Sequence, residues 1–323
     1  LANFNPQYDF TNSMSYTKDI TLPGGNALSL TDNLGPVKVA SPRRRWPRIS
    51  VGRIPRIRFG LWLAGLFVAL LIIAAIAPGS ITHGDPLEAN ARLAFREPSL
   101  ANPLGTDENG RDLFTRAIYA VRPSLVMGLA ATAIGLGLGV AIGLFAGLGT
   151  RVIDGALMRG IDLLLAFPHI LLVLLIITFW GQGLFNTIVA VGIASVPRYA
   201  RLVRAQVHVV RHAAFVEAAV TLGLRYPTLI WRHVLPNAIK PVLILSTIGI
   251  GEKIGFGASL SFLGLGTPPP APDWGSMLSV GRNFLANAWW LTAVPGLAVT
   301  LTVLSVSTLG REILRRNEGK ITS

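Results

Sequence analysis

The chain has 323 residues, of which 51% are hydrophobic and 14% charged, and its formal net charge is +13. An ordinary soluble domain has about a quarter of its residues charged, so this balance excludes that class and points to a chain that crosses a membrane repeatedly. Cysteine is absent, which excludes a disulfide framework, an Fe–S cluster and thiol chemistry.

Residues 1–42 are rich in Asn, Ser, Gly, Pro and Thr without a sustained period, and read as a mobile tail. No early apolar core occurs in residues 1–58, so no cleavable leader is expected. The stretch Arg43–Arg58 carries seven arginines directly before the first apolar run. Arginine there sets topology and attracts anionic lipid; nucleic acid is not expected as a partner.

Six spans follow: Phe59–Ala77, Ser124–Leu148, Ile161–Trp180, Gly183–Val196, Ala238–Leu265 and Trp289–Gly310. The first is 19 uncharged residues, which at about 1.5 Å per residue matches a hydrocarbon core about 30 Å thick. The fourth has only 14 residues before Pro197 and Arg198, short of the roughly 17–25 usually needed. Charge decides whether it crosses. With six spans, 22 of the Lys and Arg residues face the cytoplasm and 6 face outward; without the fourth the split is 12 to 16. Cytoplasmic loops carry the excess of Lys and Arg, so six spans with both termini cytoplasmic are expected. The organisation is then a cytoplasmic tail over 1–58, a membrane domain over 59–310 and a cytoplasmic C-terminal tail over 311–323. An outer loop occupies 78–123 and a long cytoplasmic loop 197–237.

Within the second span, Gly135, Gly139, Gly143 and Gly147 recur at every fourth position and form one bare helix ridge for close packing. Trp180, Trp289 and Trp290 fall at span ends, where tryptophan anchors the interface. In the third span, Pro168 and His169 predict a kink with the imidazole on a freed carbonyl. Asp154, Arg159 and Asp162 read as salt links at an interface.

The cytoplasmic loop is the segment most shaped for a partner. Phe215, Ala218, Ala219 and Leu222 stand at i, i+3, i+4 and i+7, an apolar stripe of small residues on one helix face. Gly223 suits the left-handed position that ends a helix. Pro227 suits the start of a second short helix, and Pro236 resists its continuation. Periodicity alone leaves a protein-docking helix and a lipid-surface helix equally open. In the fifth span, Glu252 and Lys253 are ionisable residues at membrane depth, a costly placement that marks either a polar path across the membrane or an interface with another membrane chain. No catalytic constellation and no metal-ligand spacing stands out.

Three motifs carry a resemblance. Glu217-Ala218-Ala219, then Gly223, then Leu235-Pro236-Asn237, resembles the EAA motif of ABC-importer permeases, with His233 where the motif often has Ile. Gly105–Asp112 continuing to Arg122–Leu125 resembles the outer loop of the oligopeptide/dipeptide/nickel permease group. Ser261–Gly266, Pro268–Pro270 and Asp273–Leu278 resemble the end of span five and its following loop in that group.

The resemblance implies an all-α polytopic membrane protein of type I ABC-importer permease architecture, in the bacterial inner membrane. It implies peptide transport, with nickel or another small solute as the alternative cargo. In this family Glu217, Ala218, Ala219, Gly223, Leu235, Pro236 and Asn237 would couple the chain to an ATPase. No G-x-x-x-x-G-K-[ST] phosphate loop occurs in the sequence, so the chain is expected to bind no cofactor and not to be an enzyme. ATP and Mg would be used by two cytoplasmic ATPase subunits. A homologous permease completing a heterodimeric pore, an external substrate-binding protein and membrane lipid are the other partners implied. A gradient-driven transporter, which would need midplane carboxylates beyond Glu252, and a non-transporting membrane scaffold are the rival readings.

Overall fold

The structure, a computed structural model, describes residues 56–318. The tail 1–42 and all but the end of the basic stretch lie outside the described residues. Among those described, regular structure is helical, apart from one isolated bridge between Thr106 and Asp112.

Helix α1 (Arg56–Ile76) is the first span. An irregular segment then leads to α2 (Leu113–Tyr119), α3 (Val121–Leu148), α4 (Arg151–Ala166), α5 (His169–Trp180) and α6 (Leu184–Arg211). The loop after α6 holds α7 (Ala214–Thr221) and α8 (Tyr226–Leu229), and α8 runs through a π turn at Ile230–Val234 into α9 (Leu235–Phe262). Helix α10 (Trp274–Gly281) lies between α9 and α11 (Trp290–Glu318).

The centre of the bundle is the pair α3 and α6. Its closeness comes from the glycine ridge. A Cβ on Gly139 would lie 2.5 Å from the Tyr199 Cβ, and one on Gly143 2.5 Å from the Ala200 carbonyl oxygen. Gly135 and Gly147 meet Ser195 and Val207 in the same way, at 2.9 and 2.7 Å. Dispersion falls steeply with separation, so bare backbone at four successive turns lets the whole length of α6 press on α3.

Four described helical segments are long and apolar enough to cross a bilayer: Phe59–Ile76, Leu113–Leu148, Tyr226–Phe262 and Trp290–Arg316. Three expectations are revised. The third span, expected as one helix over Ile161–Trp180 kinked at Pro168, is two helices, α4 and α5, bent by 91°. Pro168 supplies no N–H and disfavours helix at Phe167, whose backbone is extended with ψ 136°. The fourth span was expected to end at Val196, and its helix α6 continues through a buried Pro197 to Arg211, packed on α3. Its charged C-terminal half keeps it out of the set that crosses by composition, and α4 with α5 would make a fifth crossing only if the bent pair is one span. Pro236 was expected to end a helix and instead stands in the first turn of α9. The π turn before it bonds the Leu235 N–H back to the Ile230 carbonyl, and a proline in a first turn lacks only an N–H that has no intrahelical partner.

Candidate ATPase-coupling loop and membrane cleft

The two outer motifs meet. The Asp107 carboxylate accepts from the Asn109 and Arg111 N–H groups at 2.9 and 2.8 Å and lies 3.5 Å from the Arg116 guanidinium. Arg116 in turn donates to the Pro86 and Pro270 carbonyls, and the Trp274 indole donates to the Ala117 carbonyl at 3.0 Å. Asp273 caps α10 through the Ser276 N–H at 3.0 Å. Burial pushes the Asp273 carboxyl above the usual carboxylate range, and the Ser276 bond offsets part of this. Trp290, expected at the interface, is buried and donates to the Thr106 carbonyl, while Trp180 and Trp289 are exposed.

In the loop between α6 and α9, α7 is fastened to the bundle. Val216 and Ala219 turn inward to Val203, Val207 and Val210 of α6, and Leu229, Val234, Ala238 and Val242 complete the same core. The Arg211 guanidinium donates to the Gly147 carbonyl at 3.1 Å, tying the end of α6 to that of α3. Helix α7 ends as its glycine predicts. Gly223 has φ +78°, its N–H bonds the Val220 carbonyl, and the Leu224 N–H bonds the Ala219 carbonyl, the two reciprocal bonds of a Schellman stop.

The predicted stripe therefore divides. Ala219 is 7% exposed and belongs to the chain's own core, whereas Phe215, Glu217, Ala218 and Leu222 are exposed. Gly223 is exposed too, with nothing within 4 Å of a Cβ added to it. Leu235 is half-buried, Pro236 and Asn237 are exposed, and the Asn237 amide donates to the His233 carbonyl at 2.7 Å. An apolar patch of Phe215, Ala218 and Leu222 is thus exposed on a helix whose other face packs into the core of α6 and α9.

A cleft of about 820 Å³ lies deeper, between α4, α5, α6 and α9. Glu252 and Lys253 both line it, joined by Arg198, Arg201 and His169. Arg198 forks onto Glu252, with Nη1 3.2 and 3.1 Å from the two carboxylate oxygens. Lys253 is 6% exposed and its ammonium lies 5.3 Å from the centre of the Tyr199 ring. The His169 ring packs edge-on against Phe256 at 5.0 Å, so its surroundings are aromatic. The sequence did not disclose Arg198 and Tyr199 as partners, since each lies more than 50 residues away and only the α6–α9 contact joins them. The salt links are within the chain: Asp154 with Arg204 at 2.5 and 2.6 Å, and Asp162 with Arg201 at 2.5 Å. Both fasten α4 to α6. Among the described residues, no three His, Asp or Glu side chains gather as metal donors.

The family model for binding-protein-dependent transport system inner membrane components matches residues 139–321. A putative peptide transport system permease protein of Brucella suis biovar 1 (strain 1330) is 40% identical over 76% of this chain and 83% of its own. The dipeptide transport system permease protein DppC of Alkalihalophilus pseudofirmus is 38% identical over 77% and 83%. Among solved structures, the inward-facing MetNI methionine ABC transporter superposes with a TM-score of 0.52 at 20% identity, over 62% of this chain and 95% of that one; at that identity the likeness speaks for the fold.

Proposed function

The chain belongs to the binding-protein-dependent transport system inner membrane components, and on that premise we propose that it is the membrane-embedded half of an ATP-driven peptide importer. Membership makes it a multi-pass permease component of the bacterial inner membrane that works with an external binding protein and a separate ATPase. The peptide cargo rests on the relatives, whose names specify peptide and dipeptide transport.

The observation that carries the coupling role is the division of α7. Its inner face is locked into the core shared by α6 and α9, and its outer face offers Phe215, Ala218 and Leu222 beside Glu217. A narrow apolar patch on a short helix fits a groove of another protein. Force applied to it passes to α3, α6 and α9 together. Closing of two ATPase subunits on ATP would push this joint and rock the spans between an outward cavity, loaded by the binding protein, and an inward one. Glu217, Ala218, Gly223, Leu235, Pro236 and Asn237 belong to the docking region, and Ala219 holds α7 to its own bundle. A homologous permease would supply the other half of a heterodimeric pore. ATP and Mg would belong to the ATPase subunits, with no catalytic residue on this chain.

Six crossings with both termini cytoplasmic follow from the same reading. Helix α6 crosses inside the bundle, where its polar residues meet α3, α4 and α9 rather than lipid, and α4 with α5 makes one broken crossing lining the cavity. Irregular backbone at membrane depth is tolerated where it lines a cavity or is buried in protein.

The test is Ala218→Trp in the complete complex, reconstituted in vesicles with its ATPase and binding protein. Membrane insertion is expected to persist, while co-purification of the ATPase and ATP-dependent peptide uptake are lost. Normal ATPase recovery with Ala218→Trp would overturn the coupling assignment. Uptake driven by an ion gradient without ATP would overturn the importer reading itself.

A further inference from the structure

The cleft between α4, α5, α6 and α9 holds charges that the coupling role does not use. Three of its lining side chains are cationic, Arg198, Arg201 and Lys253, and one is anionic, Glu252. Arg201 is answered from α4 by Asp162, and Arg198 by Glu252. Lys253 is the exception. The residue is more than nine-tenths buried and borders the cleft, its ammonium rests on the Tyr199 ring, and it forms no hydrogen bond or salt bridge among the described residues. An ammonium at the wall of such a cleft with no carboxylate bonded to it is costly to hold and is stabilised when an anion arrives. Glu252 beside it is the reverse case. Its side chain is 58% exposed and its partner Arg198 is 75% exposed, so the pair is held weakly and exchanges readily.

We propose that Lys253 and the Arg198–Glu252 pair form a recognition site for the two ends of a short peptide, Lys253 receiving the terminal carboxylate and Glu252 the terminal ammonium. The proposal rests on the peptide-importer reading. Three features of the cleft support it. A zwitterion brings one charge of each sign, so its carboxylate pairs with Lys253 and its ammonium takes the place of Arg198 on Glu252. Arg198, released, remains next to the carboxylate end or in water, where an arginine head loses little. The two anchors are neighbours on α9, with Cα atoms about 3.8 Å apart, and a chain of two or three residues spans at most about 3.3–3.6 Å per residue, so the ends of a short peptide can reach both. Beside His169, Ser195 and the Asp162-paired Arg201, the rest of the lining, including Val191, Ala194, Leu245 and Phe256, is apolar, which suits a carrier that passes many peptides by their common ends.

The experiment uses the reconstituted complex and three probes: dialanine, dialanine amide, which lacks the carboxylate, and N-acetyl-dialanine, which lacks the ammonium. ATP-dependent uptake is measured for wild type, Lys253→Met, Lys253→Arg and Glu252→Gln at saturating binding protein, so that selection before entry is common to all. Lys253→Met is expected to lower dialanine uptake about tenfold while leaving amide uptake near its own wild-type rate, and Lys253→Arg to restore much of the difference. Glu252→Gln is expected to lower uptake of dialanine but not of the acetylated probe. Equal loss for all three probes would overturn the site and make Lys253 and Glu252 structural residues. Recovery of dialanine uptake in the exchanged pair, Arg198→Glu with Glu252→Arg, would overturn the ammonium half. Should Lys253→Met fail to assemble with the ATPase, Glu252→Gln, at an exposed position, carries the decision alone. Absence of ATP-dependent dialanine uptake in the wild type, by contrast, would strike at the importer reading on which the site depends.

Discussion

Ala218 and Ala219 are adjacent, yet one is exposed and the other is sealed in the core with Val216 and Leu229. Successive helix positions differ by about 100°, and that turn separates an outer surface from an inner one. Replacement by tryptophan should therefore give different failures. Ala219→Trp overpacks the chain itself and is expected to cost about 1–3 kcal/mol of stability, seen as a lower melting temperature in detergent. Ala218→Trp should melt like the wild type and fail only at ATPase recovery. Gly223 is a third case: a Cβ there has open space but φ is +78°. Gly223→Ala is expected to loosen the end of α7 by about 1–2 kcal/mol, the usual cost of the left-handed conformation for an L-residue, visible as faster exchange of the amides at position 223 and Leu224, the two donors of the stop. These positions were readable as a motif in the sequence. Which side of the helix belongs to the partner was not, because both faces carry apolar residues and only burial distinguishes them.

Asp273 makes a pH-dependent contribution at the same scale. Its carboxyl is shifted upward by burial, so the neutral form is favoured in the folded chain. Stability from this group is complete below the ordinary carboxylate pKa and is lost as pH rises through the raised folded value. Asn keeps the cap on Ser276 and carries no charge. Asp273→Asn is expected to match or exceed wild-type melting at pH 7, with the gap closing toward pH 4. Asp273→Ala, which loses the cap, is expected to be worse by about 0.5–2 kcal/mol.

Among the elements, α3 and α6 depend most directly on composition. Four glycines at i, i+4, i+8 and i+12 put α6 against backbone, and Gly143→Leu is expected to force the pair apart, lowering the melting temperature and the yield of assembled complex. The period announced that ridge in advance, though it did not name α6 as its partner. The break between α4 and α5 was only half legible: Pro168 marked the position, but the size of the bend depends on what α4 packs against. Asp154 and Arg204 fix it there, with carboxylate and guanidinium paired through two bonds. A double-mutant cycle with Asp154→Ala and Arg204→Ala should return a coupling of roughly 0.5–3 kcal/mol, because the carboxylate is mostly shielded from water. Pro197 misled the sequence reading for a related reason. Proline usually marks a helix end, and here the surrounding helices supply the packing that keeps α6 continuous.

For the whole molecule, hydropathy and charge sufficed to fix the class, and three motifs in chain order sufficed to fix the family. What they left open was how distant segments close on one another. Arg116 reaching Pro270 across 154 residues, and Arg198 reaching Glu252 across 54, are tertiary facts without a local signature. The first binds the two outer motifs together, so Arg116→Ala is expected to unfasten both, with a fall in stability that exceeds the effect of the exposed Arg201→Ala.

The twelve residues of α5 measure about 18 Å, and next to them the cleft opens a row of ions on one flank of the chain. A newly made copy waiting alone in a bilayer would turn that flank to acyl chains, thinning the lipid around it and marking itself as unfinished to the proteases that survey the membrane. Survival of this polypeptide in the cell should thus depend on synthesis in step with the subunit that covers the flank. Pulse-chase measurement is expected to give a short half-life when it is expressed singly and a long one when the homologous permease proposed as its partner is made at the same time.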